Sequence, residues 1–227
     1  MEQNKFIQDV YNNLIYADRW KLLMNGLGLT MKITIAAIII GTVLGIISAF
    51  MKISKHKILN IPAKIYIGVI RGTPVMIQLL IIYNVIFGSV DMDKTIIAII
   101  AFGVNSGAYM AEIFRGGILS VDKGQVEAGR SLGLRHWQTM WHIILPQALK
   151  NCLPTYISEF ITLIKETSIV GYIALDDLTR SGDIIQSNTY SPLVPLVSVA
   201  IIYLSITLIL TWLFNKLERR LRESDLR

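Results

Sequence analysis

Thr155, Ser158, Glu159, Thr162 and Glu166 recur at three- and four-residue steps through a run that otherwise holds Ile157, Phe160, Ile161, Leu163 and Ile164. That spacing puts all five on one face of a helix. Glu159 lies well inside the apolar segment, where an ionised carboxylate costs at least ~2–3 kcal/mol unless it meets a cation or a wet cavity. The chemistry on offer is recognition of a positive group, with Lys165 as the internal partner that would quench it. A second set, Asn105, Ser106 and Tyr109 followed by Glu112, brings hydrogen-bonding groups to similar depth in another apolar run. Two readings stay open for both sets: the side chains line a polar pathway, or they join helices to one another as glue. A stripe that contains a carboxylate favours the pathway.

A third feature is Arg71-Gly72-Thr73-Pro74, set inside a further apolar run. Proline removes a backbone donor and arginine in hydrocarbon is costly, so the spacing predicts that the helix restarts here. Thr73 is expected as the N-cap and Pro74 as the first helical residue, separating a helix over Ile58–Arg71 from one over Pro74–Phe87. Such a start presents free amides and a positive dipole end to an anionic group. A merely kinked helix is the alternative.

The elements that must position these groups are membrane spans. With 53% hydrophobic residues, 17% charged residues and a mean hydropathy of +0.53, the chain of 227 residues is too apolar for a soluble domain. Stretches that approach or pass the roughly 20 residues needed to cross a bilayer fall at Leu22–Met51, Ile65–Phe87, Thr95–Ala111, Pro154–Ala174 and Leu193–Phe214. The expectation is an all-α, polytopic integral membrane protein, a single domain over residues 1–227 with five transmembrane helices. Its one long polar stretch is a cytoplasmic hairpin over about 112–150. Met1–Lys21 lacks the apolar core of a signal peptide; Phe6, Val10 and Leu14 at a spacing of four suit a short surface helix, with a frayed polar tail as the alternative.

Charge sets the orientation. Lys52, Lys55, Lys57 and Lys64 follow the first span, Arg115, Lys123, Arg130 and Arg135 follow the third, and Lys216, Arg219, Arg220, Arg222 and Arg227 end the chain. The other two connections carry Asp91 and Asp93 against Lys94, and Asp176, Asp177 and Asp183 against Arg180. By the positive-inside rule the N-terminus lies outside and the C-terminus inside. Trp20, Trp137 and Trp141 fit the two interfaces. The net charge of +6 thus reads as lipid topology and not as a nucleic-acid surface. Gly41 and Gly45, and Gly103 and Gly107, sit four apart and let helices approach closely. The lone Cys152 has no disulfide partner, and His56, His136 and His142 lack metal-ligand spacing, so no metal and no catalytic residue is expected.

The polar connection reads Glu127-Ala128-Gly129, three residues, Gly133, nine residues, Ile143, one residue, Leu145-Pro146. Val121–Leu132 reads as a short helix with Gly133 at its C′ position, and Leu134–Lys150 begins a second, giving a protruding helical hairpin. Small residues at Ala128 and Gly129 leave a flat surface for another protein's groove, with Glu127 and Arg130 able to pair at its rim. The spacing resembles the E-A-A signature of permeases from ATP-binding-cassette importers, departing from it only at Gly129, where a second alanine is usual. Gly28-Leu29-Thr30, Arg71-Gly72-Thr73-Pro74 with Gln78, Ala108 to Gly117, Gly124-Gln125 and Lys165-Glu166-Thr167-Ser168 are similar to the polar amino-acid uptake members of that family.

The resemblance implies a half-permease of the bacterial plasma (inner) membrane that pairs with a second permease copy, identical or a close paralogue. ATPase subunits dock on the hairpin through Glu127, Ala128, Gly129, Arg130 and Gly133, and an extracellular or periplasmic solute-binding protein delivers an amino acid. The chain itself has no G-x-x-x-x-G-K-[ST] run, so ATP and Mg²⁺ belong to the partner and no cofactor is expected here. Thr73, Asn105, Ser106, Tyr109, Glu112, Ser158, Glu159 and Thr162 are the candidate contacts for the solute, and the acidic stripe leans toward a cationic one. The rival is a self-sufficient secondary carrier titrating Glu159 and Glu112, against which five spans without an internal repeat argue.

Overall fold

The computed structural model describes residues 7–223, with side chains to residue 219. Phe6, Arg227 and the side chains of Arg220 and Arg222 lie outside the described residues. Among the described residues every regular element is helical.

Helix α1 (Trp20–Ile53) is 34 residues long, about 50 Å at helical rise and well beyond a ~30 Å hydrocarbon core. Helix α2 (Lys57–Arg71) and helix α3 (Val75–Ile81), which continues through a π-helical turn at Ile82–Ile86, meet at a bend of 107°. Helix α4 (Lys94–Leu119) follows, capped by Asp93, whose side chain accepts from the Thr95 amide. Hydrogen bonding from the Thr95 side chain, and next from its amide, holds the exposed Asp93 carboxyl below its ordinary value. Helix α5 (Lys123–Ser131) is the first arm of the hairpin. The second arm runs without a break from His136–Thr139 through a π-helical turn at Met140–Ile144 into helix α6 (Leu145–Glu166). Helix α7 (Leu178–Thr189) and helix α8 (Leu193–Glu223) complete the chain.

Helices α1, α4 and α8 are each long and apolar enough to cross a bilayer, and α2 with α3 makes a fourth crossing if the bent pair is one span. The 22 residues of α6 reach about 33 Å, but its polar stripe lowers its hydropathy below theirs. The helix boundaries differ from the sequence expectation in both directions. Helix α4 continues eight residues past Ala111, and α6 ends at Glu166 in a 3₁₀ turn, Thr167–Ile173, closed by Ala174 at φ 57°. At the end of α4 polar residues continue the helical hydrogen bonding beyond the apolar run, whereas after Glu166 the apolar run outlasts the α-helix; hydropathy marks the apolar part of a segment and not the ends of its helix.

The main core lies where α1 packs along α4, around Ile33, Ala37, Ala101, Phe102 and Met110. The glycines set that contact from both sides. A Cβ on Gly45 would lie 2.4 Å from Met110 Cβ, and one on Gly103 would lie 2.8 Å from Ile40 Cγ2. Closely approaching backbones are what small residues at a four-residue spacing permit in a membrane, where packing and not water exclusion joins helices.

A second cluster fixes α7 between the first turns of α1 and the first half of α8, through Leu23, Leu178, Ile185 and Val199. Asp177 caps α7, accepting from Thr179 N at 3.0 Å and Arg180 N at 3.1 Å, and is fully buried. Burial pushes its carboxyl up to about 6, against the pull of those two amides. The N-terminal segment joins the same cluster: Leu14 packs on it, and Asn13 Oδ1 accepts from Thr189 Oγ1 at 2.6 Å. Residues 7–10 are helical and run into a π-helical turn at Tyr11–Ile15, within which Asn13 turns inward to reach α7.

Candidate functional site: a polar cavity and a docking hairpin

The two polar stripes face one another. A cavity of ≈ 460 Å³ opens between α4 and α6, with the end of α2 at its edge. Tyr109 and Glu112 of α4 line one wall, and Thr155, Ser158, Glu159 and Thr162 of α6 line the other. Arg71, the last residue of α2, completes the lining, its guanidinium 5.3 Å from the centre of the Tyr109 ring. That is cation–π distance, and it holds a positive charge over an aromatic face at the edge of the cavity.

Glu159 accepts from Ser106 Oγ at 3.4 Å, a long bond, and makes no ion pair among the described residues. Lys165 does not reach it: six positions further along α6, it points away from the cavity and is exposed. Internal pairing with Lys165 is therefore replaced by a hydroxyl donor and an open cavity. Glu112 is in the opposite condition. Its Oε2 accepts from Arg115 Nη2 at 2.8 Å and Nε at 3.0 Å, and its Oε1 pairs with Lys52 at the end of α1. Two cations engage this carboxylate, which ties α1 to α4 at the cavity wall.

Three candidates sit behind the wall. Thr73 does not cap the next helix; Pro74 occupies the N-cap position, and Thr73 Oγ1 donates to Val69 O at 2.9 Å, finishing α2 instead. Gln78 organises this break. Its Nε2 lies 2.7 Å from Ile70 O, 3.0 Å from Thr73 O and 2.8 Å from Thr73 Oγ1, while its Oε1 accepts from Asn105 Nδ2 at 2.8 Å. Asn105 is thus part of a buried clasp between α4 and the 107° bend, and its Oδ1 has no partner. Ser106, fully buried, bridges the α1 contact to Glu159. Arg71 and Gln78 belong to the stretch that carries the family likeness, but neither is among the solute contacts expected from the sequence. The signal for Gln78 was a polar side chain in an apolar helix directly after a break.

The hairpin is well defined by its own hydrogen bonds. Asp122 Oδ1 accepts from Gly124 N at 2.6 Å to start α5. Gly133 ends it at φ +80°, with Gly133 N on Arg130 O at 3.0 Å and Leu134 N on Gly129 O at 3.1 Å, the paired bonds of a Schellman motif that favours glycine at this place. Glu127, Ala128 and Arg130 are exposed. Gly129 is not: it is buried against the second arm, where an added Cβ would lie 2.9 Å from Thr139 Cγ2 and 3.1 Å from Ile143 Cδ1. Gly129 therefore joins the two arms, a correction to the flat outward surface expected of it. The outward apolar feature is Leu132, 80% exposed at the hairpin tip.

A helical membrane protein with a polar cavity between two spans and a hairpin closed by its own hydrogen bonds has the architecture of a transport component. The chain belongs to the family described as binding-protein-dependent transport system inner membrane component, which matches residues 41–223. It is 39% identical over 208 residues to the arginine transport system permease protein ArtQ of Bacillus subtilis, covering 89% of this chain and 94% of that one. It is 38% identical over 204 residues to the glutamine transport system permease protein GlnP of Escherichia coli, covering 88% and 93%. The L-cystine transport system permease protein TcyB of Bacillus subtilis is 38% identical over 211 residues, covering 92% and 90%. A crystal structure of an amino acid ABC transporter with histidines superposes with a TM-score of 0.83 at 45% identity, covering 88% of this chain and 94% of that one. The chain is accordingly the membrane-embedded permease component of an amino-acid ATP-binding-cassette importer, non-catalytic, with ATP hydrolysis on a separate subunit.

Proposed function

We propose that this permease carries a cationic amino acid, with Glu159 receiving its positive group and Arg71 its carboxylate. The observation that carries the reading is the state of Glu159: a carboxylate on a cavity wall within a spanning helix, with one long hydroxyl contact and no ion pair among the described residues. A carboxylate so placed is costly until a cation arrives. Arg71 on the same wall supplies the opposite charge that a zwitterion also needs. Tyr109, Ser158 and Thr162 add hydrogen-bonding groups between the two, while Glu112 is spent on Lys52 and Arg115. The arginine named for ArtQ agrees with this reading, and the glutamine named for GlnP is its competitor.

The chain crosses the bilayer five times with its N-terminus outside and its C-terminus in the cytoplasm, beside a second permease copy. A solute-binding protein delivers amino acid from outside. ATPase subunits seat the hairpin through Glu127, Ala128, Arg130 and Leu132, and their closure and release switch the cavity between outward and inward access.

The test is uptake of labelled arginine into vesicles holding the whole complex and its binding protein. Glu159→Gln is expected to lower arginine uptake at least about tenfold, the scale of one charge-assisted hydrogen bond, with ATPase attachment intact. Unaltered arginine uptake by that variant, or uptake with the ATPase subunits left out, overturns the proposal.

A further inference from the structure

The polar cavity extends past Glu112 and Thr155 toward the hairpin. On α4 the face that carries Tyr109 and Glu112 continues at four-residue steps through Gly116 to Ser120, the residue that caps the helix, and all four line the space. On α6 the opposite wall begins with Asn151, one turn before Thr155. Tyr109 to Ser120 and Asn151 to Thr162 each cover about 16 Å at helical rise, so the cavity is a trough about three turns long. Its two ends differ. At the deep end Ser106 reaches Glu159 across a long 3.4 Å. At the other, Ser120 leads into the first arm of the hairpin and Asn151 follows the second. There Asn151 Nδ2 donates to Ser120 Oγ at 2.9 Å, and Ser120 Oγ donates to Gly117 O at 2.8 Å. Both residues are exposed, so this bond closes a mouth and not a core. Between the ends, two adjacent glycines have opposite surroundings. Gly117 seats α4 on α6, since an added Cβ would lie 2.7 Å from Ala148 O and 2.8 Å from Cys152 Cβ. Gly116 is exposed, and nothing lies within 4 Å of the Cβ it lacks. Packing within this chain asks for no glycine there, and a helix interior disfavours one. What the missing side chain leaves open is the cavity.

We propose that the hairpin end of this cavity is the route by which the solute leaves, with Gly116 the residue whose missing side chain keeps it passable and the Ser120–Asn151 pair the clasp that closes it. The inference rests on the cavity being the solute's path and on the hairpin lying in the cytoplasm. A solute released from Glu159 passes Glu112, whose charge Lys52 and Arg115 already meet, and then the bare face of Gly116. It arrives at a hydroxyl and an amide that can exchange their mutual hydrogen bond for bonds to the solute. Because Ser120 and Asn151 stand at the roots of the two hairpin arms, a change in the spacing of the arms acts on that bond directly.

Gly116→Cys, in the whole complex with its binding protein in vesicles, supplies a plug that can be added and removed. Uptake of labelled arginine and of labelled glutamine is measured before treatment of both vesicle faces with a bulky, water-soluble methanethiosulfonate, after it, and after a reductant has cleared the adduct. The parent protein, whose Cys152 is buried, is carried through the same steps as the blank. The adduct is expected to lower uptake of whichever amino acid is carried at least about tenfold by overfilling the passage, and the reductant to restore it. Each sample is its own control, so misfolding cannot imitate the result. Opening the clasp with Asn151→Ala is expected to raise the rate at which the thiol reacts about three- to tenfold, the scale of one hydrogen bond. A thiol that stays unreactive means that lipid or the second copy covers Gly116, and overturns the inference, as does a fully modified protein that keeps its uptake. An unchanged rate in Asn151→Ala overturns the clasp. The plug acts on any solute. A full block beside an inert Glu159→Gln would therefore condemn the cationic reading of the cavity alone, whereas a harmless plug beside a defective Glu159→Gln would condemn the release route alone.

Discussion

Four single residues show how a residue's surroundings decide its role. Gly45 meets backbone: an added methyl would fall 2.4 Å from Met110 Cβ and 3.0 Å from Met110 C, neither of which can rotate away. Gly45→Ala is expected to cost about 1–3 kcal/mol by overpacking, read as a lower apparent melting temperature of the detergent-solubilised complex. Gly129 also has close neighbours, Thr139 Cγ2 at 2.9 Å and Ile143 Cδ1 at 3.1 Å, but both are ends of side chains and not backbone, so a shift of a few tenths of an ångström in them is offset by the up to ~1 kcal/mol of helix propensity that alanine regains. Gly129→Ala is therefore expected to be near neutral in the same measurement; a loss as large as at Gly45 would show that the arms of the hairpin cannot adjust. The two glycines look alike in the sequence, where each is a small residue in a helix, and only the identity of the facing atom separates them. Glu112 and Glu159 pose the same problem. Both are carboxylates on polar stripes, and nothing local says that Lys52, sixty positions before Glu112 on another helix, engages the first while the second is left to the cavity.

At the scale of elements, the stripes of α4 and α6 were legible because a 3.6-residue period is a local signal; Tyr109 and Glu112 of the first and Thr155, Ser158, Glu159 and Thr162 of the second line one cavity, while Asn105 and Ser106 are buried behind it. The break after Arg71 was legible as well, from proline and glycine. Its geometry was not, because the group that fixes it, Gln78, is held from Asn105 on a different helix. Gln78→Leu strands the Ile70 and Thr73 carbonyls and the Asn105 amide together, so the bend should relax and Arg71 should leave the cavity edge. Uptake should fall at least about tenfold, with the ATPase still attached; unchanged uptake would show that the clasp does not position Arg71. Helix α7 depends on its cap in a different way. The Asp177 carboxyl, raised to about 6 by burial, favours the folded state fully when protonated, below its ordinary value of 3.8, and that contribution is lost as pH rises through 6. The difference is on the order of 3 kcal/mol. Asp177→Asn, which keeps a capping oxygen, should flatten the dependence of melting temperature on pH between about 4 and 7 and raise the value at neutral pH; a pH profile identical to the parent's would place the titration elsewhere.

For the whole molecule the question is how force from a separate ATPase reaches a cavity in the membrane. The second arm of the hairpin and α6 form one uninterrupted helical rod from His136 to Glu166, and Glu159 sits near its far end. The first arm grips that rod only through its packing, with Gly129 seated on Thr139 and Ile143. Docking and transmission are therefore separable. The proposed docking falls to Leu132 and Glu127, which are exposed, and the proposed transmission to Gly129, which is buried between the arms. Leu132→Asp should release the ATPase subunits and abolish uptake and solute-stimulated hydrolysis together. Gly129→Leu should instead leave the ATPase bound through the exposed face of α5 while wedging that face off the rod, so that ATP hydrolysis continues and uptake per ATP hydrolysed falls at least about tenfold, the cost of one misplaced contact far from the site. Copurification and paired measurements of uptake and hydrolysis in vesicles separate the two. Equal loss of attachment in both variants would mean that the hairpin is a single docking surface, and that the helical rod is not what carries the ATPase stroke to Glu159.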